Sequence, residues 1–364
     1  MLNHKTVAVV IPAYNEEKQI TSVIKSMPKF VDKIIIVNDC STDNTAKVIQ
    51  KLIDNNKSTV KTKKPKKIIK NKYNTAEILL KQIKKEELKY YPEFSIYNKN
   101  HQKDRLVLIN FHKNSGVGIA ISNGYRYCRD EQIFCTATMD GDGQMNPAEL
   151  KDLCMPVVKN EVDFTKGNRL SHRSAYLVVP KIRYLGNSTL SLLTKIASGY
   201  WHISDTQTGY KAISLKALNA IRLDKIYPRY GYPNDLLVKL NIAFCTIKEI
   251  PIQPVYNVGE KSKMKVLKVI PKISWLLFIS FWKRLYIKYL FRDFHPLFLL
   301  YHFGFLLLIF NIQFTFDAIR SLDPKITIDI KDALLFVFCT ISGFQAIFFA
   351  MWMDIQDNER LQKF

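Results

Sequence analysis

The chain has 364 residues, 47% of them hydrophobic, six cysteines and a formal net charge of +22. That length holds one large α/β domain or two smaller ones with a sizeable core. The cysteines form no C-x-x-C pair and no metal-type spacing with histidine, which argues against a disulfide framework or a cysteine metal centre and for a reduced compartment. The excess positive charge points to nucleic acid, anionic lipid or phosphorylated substrates. It is uneven, since residues 57–104 carry 14 lysines against 5 acids.

Residues 7–11 (VAVVI) are a short, wholly apolar, β-branched run, the pattern of a buried parallel strand. The apolar run before Pro12 is only five residues long, so the segment does not read as a signal peptide. PAYNEE follows as a loop and opens a helix with Ile20, Val23, Ile24 and Met27 on one face. A second strand at 33–37 ends in NDCSTDNT, where Ser41, Thr42 and Asp43 are good N-caps for a helix through Val48, Ile49 and Leu52. Two strand–helix units at this spacing predict a right-handed βαβ unit, with both polar loops at the carboxyl ends of neighbouring strands. No G-x-G-x-x-G follows the first strand, which argues against a dinucleotide site. Glu16 and Asp39 are instead placed to accept from ribose hydroxyls and a base N–H; the alternative for each is a solvated loop acid or a helix cap.

Residues 57–104 interrupt the pattern and read as a passive, partly disordered surface insertion with an amphipathic helix near 75–88. No aromatic–basic recognition pattern accompanies its lysines, so nucleic acid is not an expected partner. A strand at 105–110 resumes the sheet, and HKNSGVGIAISNGY follows as a glycine-bearing loop and a helix whose N-terminus suits a diphosphate. The next strand ends in MDGDGQMNP. Asp140, Asp142 and Gln144 alternate there, so their oxygens converge; the alternative is a surface Asp-Gly turn. Two carboxylates repel unless a cation or proton sits between them, and oxygen donors of this kind suit Mg²⁺ or Mn²⁺.

IPAYNEE, VNDCSTDNT, NSGVGIAISNGY and MDGDGQMNP, in that order, resemble the family 2 glycosyltransferases of GT-A fold over roughly residues 5–265, the insertion excluded. The resemblance implies an α/β, Rossmann-like, mostly parallel sheet and a nucleotide-sugar donor. By position, Pro12, Tyr14, Glu16 and Asp39 would hold the nucleotide, with Lys113, Asn114, Gly116 and Asp140 near it. Asp140, Asp142 and Gln144 would hold the metal.

The block from 163 to 215 is similar to the branch that glycosylates a polyprenyl phosphate, such as the dolichyl-phosphate mannose and glucose synthases. That likeness implies a strand ending in Gly167-Asn168-Arg169 near the metal. Arg183 with Asn187 or Ser188 would grip the acceptor phosphate, joined by Asp205 and Lys211 of DTQTGYKA. Asn187 departs from the serine usual in the family at that step. Asp235 stands where an acid often faces the acceptor, and also suits the first turn of a helix. Gly259, Ser262 and Lys263 resemble the family's basic closing loop, although Tyr256-Asn257 replaces the arginine that some relatives carry there.

Residues 297–316 and 333–353 are free of formal charge and each is long enough to cross a bilayer. The short connector makes them a hairpin with both ends on one side. Eight Lys/Arg between 263 and 292, against Arg320, Lys325 and Lys331 in the connector, put the catalytic domain and both termini in the cytoplasm. Residues 275–291, aromatic and basic, read as an interfacial helix. The expected layout is a catalytic domain over 1–262, basic juxtamembrane helices over 263–296, a two-helix hairpin over 297–353 and a cytoplasmic tail over 354–364. The hairpin offers a surface for homo-oligomers. The expected function is metal-dependent, inverting transfer of a sugar from a UDP- or GDP-sugar to a polyprenyl phosphate in the membrane. The rivals are a transferase acting on a soluble glycan and a catalytically dead membrane scaffold.

Overall fold

The computed structural model describes residues 1–55, 71–171, 181–255, 266–323 and 329–363. In its first half the elements are β1 (Val7–Ala13), α1 (Ile20–Lys25), β2 (Lys33–Asn38), α2 (Thr45–Asn55), α3 (Thr75–Glu87), β3 (Phe94–Ile96), β4 (Leu106–Phe111), α4 (Val117–Asp130) and β5 (Cys135–Thr138). Then come α5 (Leu150–Val158), β6 (Phe164–Asn168), α6 (Lys181–Ser198), β7 (Lys211–Ser214), α7 (Leu215–Ala220), α8 (Tyr232–Ile242) and β8 (Ile247–Pro251). Among the described residues the strands form one sheet in the order β3-β4-β2-β1-β5-β7-β6-β8, mostly parallel, with β3 and β7 antiparallel to their neighbours.

Apolar alternation explains why the sheet has helices on both faces. Ala8, Val10, Ile35, Val37, Val107 and Ile109 point to one side, where α4 brings Ala120, Ile121 and Tyr125. Val7, Val9, Ile11, Ile34, Ile36 and Leu108 point to the other, against α1, α2 and α5. Each Val, Ile or Leu among them, withdrawn from water, contributes about 1.5–3 kcal/mol. A strand buried on both faces has nowhere to keep polar groups except its ends. Since β1, β2, β4 and β5 are mutually parallel, those ends share one edge. The chain leaves β1 toward β2 and later returns to β1's other side as β5, so a crevice opens at the carboxyl end of β1.

The insertion differs from its expected form. Residues 56–70 lie outside the described set, but 71–104 are built into the fold. α3 ends on buried Glu87, which pairs with buried Arg129 at 2.8 Å. Tyr91 shares a 2.7 Å hydrogen bond with Ser122 of α4, and β3 closes the sheet edge against β4. Asn98 donates to the Leu106 carbonyl and accepts from the Leu108 N–H. Sequence composition does not reveal these contacts because each joins residues from separate stretches.

After β8, α9 (Val266–Tyr286) runs into a π-helical turn at Ile287–Arg292. One face of α9 buries Ile273, Leu277, Phe281 and Leu285 against α6 and α8, while Trp275, Phe278, Ile279 and Tyr286 stay exposed. α10 (Leu297–Phe310), α11 (Ile312–Arg320) and α12 (Ile330–Glu359) follow. Leu297–Arg320 and Ile330–Glu359 are long and apolar enough to cross a membrane. The first turns at Asn311, whose amide donates to Thr340 of α12 at 2.7 Å. α10 and α12 meet at Gly304 and Gly343, where an added Cβ on Gly304 would stand 2.9 Å from the Gly343 carbonyl oxygen.

Residues 354–363 are not a free tail. Asp354 and Asn358 are fully buried, and β9 (Gln362–Lys363) pairs in parallel with β8. The last helix therefore brings the chain back to the catalytic sheet.

Two deletions separate the parts of the insertion. A chain lacking residues 57–104 should lose β3 and the Glu87 and Tyr91 anchors, lowering its thermal midpoint and its turnover. A chain lacking only 57–70 should keep both. Circular dichroism melts in detergent check this, and identical melts for the two deletions would remove the role given to 71–104.

Candidate active site

The first two loops at the sheet edge hold each other. Asn15, at φ +56°, takes the Thr42 N–H on its side-chain oxygen at 2.8 Å, and its own N–H donates to Ser41 Oγ at 3.0 Å. The Glu16 N–H donates to Thr45 Oγ1, the Glu17 N–H to Asp43, and the Asn44 N–H to Glu17. Glu16 and Tyr14 are thereby set beside the crevice at the end of β1, next to Pro12.

The third loop is fastened by Asp39. Its carboxylate accepts from the Ser115 N–H at 2.7 Å and the Gly116 N–H at 2.8 Å, while the Asn114 amide donates to its carbonyl. Burial pushes the Asp39 carboxyl up; those two N–H groups and Arg229 oppose the rise. Lys113 is exposed on the same loop. Gly116 has φ +94°, and a Cβ there would come within 2.5 Å of the Pro228 carbonyl oxygen. That close approach, more than phosphate binding, demands the glycine.

The fourth loop leaves β5 beside the first. A Cβ on Gly141 would lie 3.3 Å from the Pro12 carbonyl oxygen and 3.5 Å from Glu16 Cγ. The Gln144 N–H donates to Asp142 Oδ1 at 3.0 Å, and the Asp140 N–H donates to Met145 Sδ. Gly209 backs the Asp140 carboxylate so closely that a Cβ would sit 2.6 Å from Oδ2. Burial and then the neighbouring Asp142 push the Asp140 carboxyl up to about 7, against the pull of Lys211 and Arg169.

Two carboxylates and an amide fit an oxygen-seeking divalent cation whose remaining positions go to diphosphate and water. Among the described residues no three His, Cys, Asp or Glu side chains gather into a fuller ligand set. Gln144 Nε2 is buried without a hydrogen-bond partner, and the space over Gly143 is open, so the loop can admit a ligand's oxygens.

Several expected acceptor residues have other work. Asp205 is fully buried and grips Arg169 with two bonds, 2.8 Å to Nε and 3.0 Å to Nη2. Burial alone would raise its carboxyl, but Arg169 and Lys166 hold it below its ordinary value. An anion sealed in this way does not bind phosphate; it aims Arg169. Lys211 likewise does not reach an acceptor. It is fully buried behind the fourth loop, 4.0 Å over the Tyr232 ring and without a hydrogen-bond partner, and burial depresses its ammonium well below the usual value. Asp235 accepts from the Tyr227 N–H at 2.8 Å and pairs with Lys239. Instead of facing the site, it fixes residues 227–229 against the start of α4, where the Gly118 N–H donates to the Pro228 carbonyl. Ser188 is half-buried on α6; the side chains of Arg183 and Asn187, and all of Gly259, Ser262 and Lys263, lie outside the described residues.

Three contributors escaped sequence reasoning. Lys166, which donates to the Thr208 carbonyl, is lowered to about 8 by burial and helps hold Asp205 ionised. Glu249 accepts from the Ser204 and Asp205 N–H groups and from Asn168, bracing the same corner. Arg229 lies close enough to Asp39 to pull its carboxyl down. A strand lysine such as Lys166 signals nothing until the opposing strand is known.

Two outcomes test this geometry. A proton on Asp140 competes with a cation for the same oxygens, so affinity for Mn²⁺ should fall by up to about tenfold per unit as pH drops below the Asp140 value. Calorimetric titrations across about pH 5.5 to 8.5 check this, and a flat profile would exclude Asp140 as a ligand. Asp205→Asn removes the counter-ion of Arg169 and should cost about 3 kcal/mol of stability, with slower turnover. Denaturant titration beside a turnover assay reads both.

The sequence model for Glycosyl transferase family 2 matches residues 8–78 and 86–222, a stretch that includes all four loops. A UDP-N-acetylglucosamine–dolichyl-phosphate N-acetylglucosaminyltransferase of Methanococcus voltae is 26% identical over 254 residues, covering 70% of this chain and 87% of that one. A dolichyl-phosphate beta-glucosyltransferase of Trichomonas vaginalis is 25% identical, covering 71% of this chain and 65% of that one. Glucosyl-3-phosphoglycerate synthase of Mycobacterium tuberculosis, solved with Mn²⁺ and UDP, superposes at a TM-score of 0.46 with 16% identity over 77% of this chain and 80% of its own. With the model spanning more than half its length, the chain belongs to glycosyl transferase family 2 and is a glycosyltransferase of GT-A fold.

Proposed function

We propose that this enzyme moves a sugar from a UDP- or GDP-sugar to a polyprenyl phosphate held in the membrane, inverting the anomeric centre. The observation that carries the reading is the seating of α6. This helix bears the segment resembling the acceptor-phosphate grip, and it packs on α9, whose far face is exposed aromatic and which leads into the two apolar helices. The acceptor helix is thus tied to the part of the molecule that suits a bilayer. The relatives named for dolichyl-phosphate transfer point the same way.

The donor's nucleotide lies in the crevice beside Pro12, Tyr14, Glu16 and Asp39, with Lys113, Asn114 and Gly116 along its edge. Asp140, Asp142 and Gln144 would hold Mg²⁺ or Mn²⁺. The cation, when bound, neutralises the charge that builds on the leaving nucleoside diphosphate. Arg169, aimed by Asp205, and Arg183 with Asn187 or Ser188 orient the lipid phosphate for in-line attack on the anomeric carbon. A phosphate monoester is already an anion at neutral pH, so the attack needs no carboxylate base. The engagement of Asp235 with Tyr227 and Lys239 accords with that. The surplus of Lys and Arg between 263 and 292 supports a catalytic domain on the cytoplasmic side.

The test offers radiolabelled UDP- and GDP-sugars with a polyprenyl phosphate to the purified full-length enzyme in detergent. Label should enter the organic phase with one donor, depend on Mg²⁺ or Mn²⁺, and drop at least about a hundredfold in Asp142→Ala. Metal-dependent donor binding with no label in that phase would overturn the acceptor.

A further inference from the structure

A sealed polar cluster lies where α6, α9 and α12 meet. Arg284 of α9 and Asp354 of α12 are both fully buried and joined by two bonds, 2.7 Å from Nη1 to Oδ1 and 2.8 Å from Nη2 to Oδ2. The rest of the guanidinium caps the end of α6, with Nε donating to the Ala197 carbonyl at 3.0 Å and Nη2 to the Ile196 carbonyl at 3.1 Å. Asp354 also accepts from the Tyr289 hydroxyl at 2.7 Å and from the Trp201 indole at 3.3 Å. Gly199 leaves room for this, at φ +74°, since a Cβ there would stand 2.5 Å from Arg284 Nη1.

We propose that Arg284 and Asp354 are positioning residues for the lipid acceptor, locking α6 to the last apolar helix so that a bilayer-held phosphate arrives at a fixed height before the donor. This rests on the acceptor reading above.

Stability does not account for the pair. Two buried charges cost several kcal/mol each in lost hydration, and apolar replacements of similar volume are often neutral or better. What the pair adds is direction. A planar fork with two carbonyls on one side and a carboxylate on the other fixes both distance and angle between the helices it joins. Misplacement by about 1 Å is enough to cost on the order of a hundredfold in rate.

The experiment uses the full chain in nanodiscs, with two acceptors: a long polyprenyl phosphate embedded in the bilayer and a short, water-soluble one that brings its own phosphate freely. The variants are Arg284→Met with Asp354→Leu, which removes both charges together, and the isosteric Asp354→Asn. For the long acceptor we expect KM to rise, or kcat/KM to fall, by about tenfold or more, with the short acceptor and donor KM staying within about twofold. Equal losses on both acceptors would reduce the pair to a fold-holding role and overturn the proposal, as would no loss on either. Wild-type enzyme that uses neither acceptor would bring down the acceptor reading itself, and this proposal with it.

Discussion

Everything at the active edge follows from the burial of β1, β2, β4 and β5 on both faces. With no exposed side, these strands carry their polar residues past their carboxyl ends, and their parallel order gathers those ends in one place. The loops then stabilise one another through side chains on backbone N–H groups. Asn15, Thr45, Asp43 and Glu17 join the first two, and Asp39 joins the second to the third. A crevice built in this way is preorganised, because most of its hydrogen bonds exist before a substrate enters.

Charge around the fourth loop is arranged in tiers. Asp140 and Asp142 face the crevice, Lys211 lies sealed behind them, and Lys166, Asp205 and Arg169 form a second set one strand further out. Burial penalises each of these groups alone, and the neighbours of opposite sign offset the penalty. The buried cations leave the acidic loop short of full compensation, which is the condition under which a further cation binds.

The unbroken apolar runs of the strands made the sheet and the loop order legible in sequence, and the spacing of Asp140, Asp142 and Gln144 made the fourth loop stand out as a candidate cation site. Both are local properties. Asp205, Lys211 and Asp235 were legible as polar residues in the right region but not in their roles, since a carboxylate's role depends on its partner. Asp205 meets Arg169, Lys211 lies over the Tyr232 ring and Asp235 takes the Tyr227 N–H, contacts that only folding makes. β3 and β9 were missed because they are short edge strands that owe their form to β4 and β8 rather than to their own residues. The Arg284 and Asp354 pair was hidden in the same way, each residue reading as a flank of an apolar stretch.

The pairing of β9 with β8 has a consequence for biosynthesis. The ribosome completes β8 well before it reaches residues 362 and 363, and both apolar helices are made in between. Until then the outer edge of β8 has an open row of amide and carbonyl groups, the kind of edge that invites pairing with a foreign strand. The nascent enzyme therefore passes through a stage in which its sheet is unfinished while both apolar helices are already made. Closure of that outer edge waits on the last strand, so a chain cut short before residue 362 keeps the start of β8 open to a foreign strand.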